Sequence, residues 1–262
     1  DLGTTITSSV LTELEALTTG TVTVSLSGTS VAATDLKSLD ANSTETINAG
    51  GVTTITGSVA DVNTVYEASG ISGLGDEAVT LSDTSITAAT IKTLDGNTTG
   101  SVNAGTVKTL TGSASDVKSV YEASGVTGLG DEAVTLSDKT ISAADLIALD
   151  GKTTGKISSS SLKTLTGTGA DAKTAFDSTG ISLTFDASSY LAGYTDLLAA
   201  FGKDLTSART HYFAFGVSEG RSFDAFDETS YLASYSDLLG AFGTNTDSAL
   251  VHYINNGYSE GR

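Results

Sequence analysis

The sequence predicts an α/β repeat protein: a β/α solenoid built from ~55-residue repeats, followed by an all-α module of two ~41-residue repeats. Two observations support this fold class. The dipeptide Leu-Asp at 39–40 returns at 94–95 and at 149–150, a constant interval, and a second phrase that starts at Phe185 returns at Phe226. Repeats of this size indicate units that bury their apolar faces against their neighbours.

Short strands and short helices are expected within each of the longer repeats. Ile141 ends a strand, Ser142 is a helix N-cap, apolar residues follow at three- and four-residue spacing, and Gly151 stops the helix. Another helix is expected over 115–124, and β-branched alternation predicts strands at 99–104 and 133–137.

These elements divide the chain into three predicted regions. Residues 31–183 form the solenoid, with strands in a narrow parallel sheet and helices along the other side. Two related coils are expected in each repeat, from a phrase that begins at Val31 and begins again at Ile47. Residues 1–30 are an imperfect repeat or an N-terminal cap. The alternative is a row of separate α+β domains, one for each repeat, whose cores would be marginal at that size.

Residues 184–262 are expected to be helical. Tyr, Leu and Phe at helical spacing, then Gly and a second helix with His-Tyr, predict one helical hairpin in 185–221 and another in 226–262. His211 and His252 hold equivalent positions, so we interpret each as a structural imidazole bonded within its hairpin, with Glu219 and Glu260 as partners. Arg221 and Arg262 are expected to pair with nearby acidic side chains or helix C-termini.

Composition and charge exclude several classes of function. A net charge of −18 argues against a nucleic-acid partner, because phosphates would be repelled. No apolar run is long enough to predict a membrane span. The chain contains no Cys, Met or Pro, and it starts at Asp1, so we expect a processed chain or an excised piece of one.

Catalytic patterns are also missing from the sequence. The chain has no Cys, so a Cys–His pair is impossible. A Ser–His–Asp triad would need one of the two His, and both lie in the repetitive helical region. The carboxylates lie in repeated contexts and there is no phosphate-binding glycine loop. We therefore predict that the protein is not an enzyme. Calcium is the only candidate cofactor.

A connector of sequence Gly-Leu-Gly-Asp-Glu, at 73–77 and 128–132, is the candidate metal site. Carboxylates and glycine-rich backbone suit calcium, which takes six to eight oxygen ligands. The candidate ligands are Asp76, Glu77, Asp131 and Glu132. The competing interpretation is a turn between helix and strand, in which the glycines supply positive φ.

Two families resemble parts of this chain. The shorter repeat resembles a short helical repeat of large secreted bacterial proteins, often found beside RTX calcium-binding regions, through the phrases Tyr231-Leu232-Ala233, Asp237-Leu238, His252-Tyr253 and Glu260-Gly261-Arg262. The Leu-Asp-Gly, Thr-Thr-Gly and Leu-Thr-Gly phrases of the longer repeat are similar to repeats in marine cyanobacterial surface proteins and in some phage structural proteins. RTX nonapeptide tandems are absent here, so the resemblance does not imply an RTX calcium roll.

Together these observations predict an extracellular or cell-surface structural protein, secreted from a bacterium. It would self-assemble head to tail, or form a rod segment, in a surface filament, surface layer or adhesin. Cell-surface glycans are further candidate partners. The alternatives are a phage fibre or other virion structural protein, and a calcium-dependent adhesive module.

Overall fold

The computed structural model describes residues 24–26 and 29–262, and it is α/β, with parallel sheets that alternate with helices. This confirms the predicted fold class at that level. Most of the predicted cap at 1–30 lies outside the described residues. The chain divides into two compact units, residues 1–135 with 152–155, and residues 136–151 with 156–262, called unit 1 and unit 2 here.

Unit 1 alternates short strands with short helices. Its strands are β1 (Val24–Ser25), β2 (Ser30–Ala32), β3 (Ile47–Asn48), β4 (Thr54–Gly57), β5 (Ile71–Ser72), β6 (Ala78–Leu81), β7 (Ser85–Thr87), β8 (Val102–Asn103), β9 (Thr109–Gly112), β10 (Val126–Thr127) and, at its boundary, β11 (Ala133–Leu136). Its helices are α1 (Ala33–Asn42), α2 (Val59–Glu67), α3 (Ala88–Asn97) and α4 (Ala114–Glu122).

Unit 2 begins with the same kinds of element and continues with helices. The first group is β12 (Thr140–Ser142), α5 (Ala143–Asp150), β13 (Ile157–Ser158), β14 (Thr164–Thr166), α6 (Gly169–Asp177) and β15 (Ile181–Ser182). The helical group is α7 (Ala187–Ala192), α8 (Thr195–Phe201), α9 (Leu205–His211) with a π turn (Tyr212–Gly216), then α10 (Glu228–Ser234), α11 (Ser236–Phe242) and α12 (Thr246–His252) with a π turn (Tyr253–Gly257).

Parallel pairing in unit 1 has a regular step along the chain. Val31 lies beside Ile55, and Ile55 lies beside Val79. A hydrogen bond from Thr53 Oγ1 to Thr29 O crosses the same separation of 24 residues. The next pairing, between Val79 and Val102, is shorter by a single residue. Residues that pair in neighbouring strands are thus about 24 positions apart, and we call each such stretch of chain a coil.

The coil period differs from the one suggested by the sequence phrases. Val31 and Ile47 begin similar phrases, but Val31 pairs with Ile55 and Ile47 pairs with Ile71. The two phrases therefore lie in β2 and β3, which follow one another along the chain but do not pair with each other. Unit 2 keeps the same coil step, since Ile141 pairs with Leu165 and Ile157 pairs with Ile181.

Coils with two strands alternate with coils with three. Strands β5 and β6 pair with β3 and β4 on one side, whereas β6 and β7 pair with β8 and β9 on the other. Strand β6 is therefore shared by both pairings. The additional strand makes the sequence repeat longer than two ordinary coils.

The core of each coil is thin and made of small aliphatic side chains. In α2 the buried residues Val59, Val62 and Val65 recur at every third position, and in β9 Leu110 is fully buried. Several helices start at side-chain caps: in α2 Ser58 Oγ accepts from Asp61 N, and in α5 Ser142 Oγ accepts from Asp145 N. Helix α5 spans Ala143–Asp150 with Gly151 as its C-cap, which confirms the predicted start and stop.

Two other local predictions can be compared with the structure. The helix expected at 115–124 runs from Ala114 to Glu122. The strand expected at 99–104 is the shorter β8, and the strand expected at 133–137 is β11. The Leu-Asp-Gly phrase that contains Asp95-Gly96 also predicts a helix end, but this prediction is wrong, because α3 continues to Asn97. None of the helices in the described part of the chain combines the length and apolarity needed to cross a bilayer.

Replacing Leu110 with Ala tests the importance of the thin core. We expect L110A to lower the free energy of unfolding by about 2 to 5 kcal/mol, because the coil has few other side chains that can move into the cavity. Urea denaturation followed by circular dichroism measures this change. The control is T80A at an exposed position on β6, expected within about 0.5 kcal/mol of wild type. Equal effects of the two variants would contradict the packing argument.

Candidate functional site

The two Gly-Leu-Gly-Asp-Glu connectors occupy equivalent places in the three-strand coils. The first lies between β5 and β6, and the second between β10 and β11. Each begins with a glycine at positive φ, Gly73 at 81° and Gly128 at 83°. Each ends with a glutamate, Glu77 or Glu132, whose side chain is fully buried. The positive-φ glycines of the competing interpretation are therefore present, but the turn connects two strands rather than a helix and a strand. It places a glutamate side chain inside the protein.

The first buried glutamate is held by groups of its own coil. Glu77 Oε2 accepts hydrogen bonds from Tyr66 Oη at 3.0 Å and from Gly75 N at 2.9 Å. Its main-chain oxygen accepts from Thr98 Oγ1 of the next coil at 2.8 Å. Burial raises the pKa of Tyr66 above its ordinary value, so the phenol stays protonated and donates a hydrogen bond to the Glu77 side chain.

The second connector repeats this arrangement. Tyr121 Oη donates to Glu132 Oε2 at 2.8 Å, Gly130 N donates to Oε1 at 2.6 Å, and Thr153 Oγ1 donates to the main-chain oxygen at 2.8 Å. Burial also raises the pKa of Tyr121. In both connectors the glutamate thus links a helix, a turn and the following coil.

The four candidate calcium ligands are not equivalent in this structure. Glu77 and Glu132 are buried and hydrogen bonded to tyrosine, whereas Asp76 and Asp131 are exposed, and Asp131 is paired with Lys108 at 2.7 Å. Within the described ranges, no group of three or more His, Cys, Asp or Glu could hold a metal ion. Calcium at these residues stays a prediction. Among the described residues, Glu77 Oε1 is buried without a hydrogen-bond partner, whereas Glu132 uses both carboxyl oxygens.

The role of the buried glutamates can be tested by removing their phenol donors. We expect Y66F and Y121F each to lower the free energy of unfolding by about 1 to 3 kcal/mol, because a buried carboxylate loses a donor without gaining water. Chemical denaturation measures the loss. The matched control is Y258F, whose hydroxyl is at the surface and makes a longer bond of 3.4 Å to Thr195 O. A loss no larger than that of Y258F would show that the connector bond is dispensable.

The two helical repeats contain the same Tyr–His bond. Tyr190 Oη lies 3.0 Å from His211 Nδ1, and Tyr231 Oη lies 3.0 Å from His252 Nδ1. The predicted bond within each hairpin is therefore present, but the predicted partners Glu219 and Glu260 are wrong. The two tyrosines recur at the same interval as the histidines, and this shared interval is the sequence pattern that could have identified the pair.

The arginine of each repeat is bound by acidic side chains and by a tyrosine ring. Arg221 pairs with Asp196 and Glu219, and its guanidinium lies 4.7 Å from the centre of the Tyr194 ring. Arg262 makes the matching contacts with Asp237, Glu260 and Tyr235. These contacts confirm the acidic partners predicted for both arginines. The hydrogen bond from Arg221 lowers the pKa of Asp196.

An aromatic cluster joins the first helical repeat to the last β/α coil of unit 2. The ring of Phe176, on α6, lies within 5.3 to 6.2 Å of the rings of Phe185, Tyr212, Phe213 and Phe223. Phe223 N also donates to Lys163 O at 2.9 Å, and Lys163 pairs with Asp224. The helical repeat is thus packed on the coil through edge-to-face aromatic contacts.

Equivalent positions of the two helical repeats differ in exposure. Leu198 on α8 is 4% exposed, whereas its counterpart Leu239 on α11 is 48% exposed. Ser189 is buried and donates to Asp224 Oδ1 between the repeats, whereas its counterpart Ser230 is exposed. The second repeat therefore presents a surface that is covered in the first.

Comparison with known proteins adds no relative: no protein family, no curated protein and no solved structure matches this chain. A proposal for its function therefore rests on the contacts described above. Some of these contacts lie within one repeat and others join neighbouring coils.

The Arg221 cluster predicts a specific pH dependence. Because the pKa of folded Asp196 is lowered, its pairing stabilises the fold above the ordinary aspartate pKa, and this stabilisation is lost as the pH falls through the lowered value. We expect R221Q to cost less than about 1 kcal/mol at pH 7, since the pair is solvent-screened. The difference from wild type should shrink below about pH 4.

Thermal unfolding between pH 3 and pH 7 measures this effect. The control K203Q removes one positive charge from an exposed lysine of the same unit, so it reports the general effect of net charge. A difference between R221Q and wild type that persists unchanged at the acid end would contradict the ion-pair explanation and would leave the contact with the Tyr194 ring as the cause.

Proposed function

We propose that this chain is an extracellular structural protein of a bacterial surface, which self-assembles into, or forms a rod segment of, a filament, surface layer or adhesin. In this proposal the ~55-residue repeats are the turns of a β/α solenoid, and the two ~41-residue helical repeats are an all-α module that follows it. Its activity is assembly and mechanical support, and it is not an enzyme.

The observation that carries the proposal is the constant parallel register. The same step along the chain pairs β2 with β4 and β4 with β6 in unit 1, and again β12 with β14 in unit 2. A unit of this kind buries its apolar face against the coil before and the coil after, so its two ends are surfaces that need covering. Repeating coils therefore suit a structural protein that forms an extended rod and binds other subunits at its two ends.

The roles of the reactive side chains support the same proposal. Both histidines are engaged by tyrosine, the buried glutamates are bonded to tyrosine and main-chain amides, and the two repeat-ending arginines are held by acidic partners. Each of these contacts recurs with its repeat. A contact that recurs with its repeat is explained by a structural role, since a catalytic centre needs only one set of catalytic residues.

The external setting is supported by composition and by resemblance. The chain has 31 acidic and 13 basic residues and no Cys or Met, so it is self-repelling and presents few oxidisable side chains. Both repeat types resemble repeats of secreted or surface proteins. We propose that copies of this chain associate head to tail. Calcium and cell-surface glycans are further proposed ligands.

Electron microscopy of the purified chain, with and without millimolar calcium, tests the proposal. We expect ordered filaments or lattices as the protein concentration rises, because surfaces that stack coils within a chain can also stack chains. Assembly only in the presence of calcium would assign a role to the predicted ligands. Single particles in both conditions, at every concentration tested, would contradict self-assembly and favour a segment that needs another protein.

A further inference from the structure

The second helical repeat contains a groove that is polar where the first repeat is apolar. The groove has a volume of about 390 Å³ and is lined by residues of α11, α12 and the π turn that follows. Asn255 and Asn256 line it, at the positions where the first repeat has Ala214 and Phe215. In the first repeat the ring of Phe215 packs on its own histidine, with 5.6 Å between ring centres. The second repeat thus replaces an apolar contact of the hairpin with two amide side chains.

The polar side chains of the groove have unused hydrogen-bonding groups. Asp247, Asn255 and Asn256 are exposed, and in the described part of the chain their side chains make no hydrogen bond to the protein. His252 Nδ1 lies 3.0 Å from Tyr231 Oη, so Nε2 is the ring nitrogen left for a ligand. Amides offer both donors and acceptors, and a carboxylate adds acceptors. This set of groups matches a ligand that carries several hydroxyls.

An apolar wall lies beside these polar groups. The rings of Phe242 and His252 both line the groove, with 5.9 Å between their centres, and the exposed Val251 lines it as well. A sugar ring has an apolar C–H face in addition to its hydroxyls, and such a face packs on an aromatic ring. A volume of about 390 Å³ lies in the range of small-molecule sites. The groove therefore combines the two kinds of contact that a saccharide requires.

We propose that this groove binds a neutral saccharide, with its apolar face on Phe242 and its hydroxyls bonded to Asp247, Asn255 and Asn256. The lining, taken over the described residues, includes one carboxylate and no Lys or Arg, and the chain has a net charge of −18. An acidic sugar would therefore be repelled. This inference rests on the proposed function, in which cell-surface glycans are further ligands, and it names the site that holds them.

NMR titration of the full chain with a panel of sugars tests the inference. The panel consists of neutral hexoses, N-acetylhexosamines and their disaccharides, with glucuronate as the acidic comparison. We expect at least one neutral member to shift the side-chain amide signals of Asn255 and Asn256 in a saturable way. No shift from any neutral member, or an equal shift from glucuronate, would overturn the inference.

The first repeat supplies the residues for matched variants. N255A should raise the dissociation constant of the sugar by about fivefold or more, because one amide is lost. N256F should abolish saturable binding, because a ring then occupies the groove. Unchanged thermal unfolding of both variants is the folding control, since both positions are exposed. Binding by both variants that is as tight as that of wild type would contradict the proposed site.

F215N is the control for the rest of the surface. It makes the reverse exchange in the first repeat, outside the groove, and should leave the dissociation constant unchanged. Loss of binding in F215N would place the sugar on the exposed ring of Phe215 and overturn the inference.

Sugar binding and self-assembly can be separated, because every lining residue belongs to one copy of the chain. A chain that binds the sugar but stays as single particles would support the groove and contradict self-assembly alone. Filaments from a chain that binds no sugar would overturn the groove alone.

Discussion

The parallel register between successive coils is the constraint on which the rest of the β/α architecture depends. When Ile55 lies between Val31 and Val79, each residue in the row must fill the same space as the one before it. Side-chain size in each row is thus set by the neighbouring coil. A polar turn instead follows the long repeat: Asn48 Oδ1 accepts from Gly50 N, and Asn103 Oδ1 accepts from Gly105 N, both at 3.0 Å. The residues that pair with Asn48 in the neighbouring coils are serines.

The three-strand coil is where this regularity is interrupted, and the buried glutamates lie there. The connector at 73–77 has to add a strand without opening the sheet. Gly73 permits this approach, because a Cβ at that position would lie 2.8 Å from Gly50 N of the previous coil. Glu77 then ties the turn to Tyr66 and, through its main-chain oxygen, to Thr98. The polar network compensates for apolar contacts that so short a connector cannot make.

Local chemistry could be predicted from the sequence, but pairing could not. Ser142 and Gly151 define their helix because N-caps and glycine stops act over short distances along the chain. The coil step was hidden, since the sequence repeats only when a two-strand coil and a three-strand coil are both complete. Glu77 was equally ambiguous, because a glycine-rich turn with a carboxylate suits calcium or a structural bond. The bond to Tyr66, on the preceding helix, could not be predicted, since it depends on how that helix packs on the turn. Calcium at Asp76, Glu77, Asp131 and Glu132 stays a prediction.

The two helical repeats share their internal contacts and differ in the exposure and identity of other side chains. The Tyr–His bond, the arginine cluster and the positive-φ glycines Gly202 and Gly243 are the same in both. The differences lie at the surface, where Phe215 becomes Asn256 and buried Leu198 becomes exposed Leu239. Interior contacts that recur specify the hairpin, so they leave the surface free to vary.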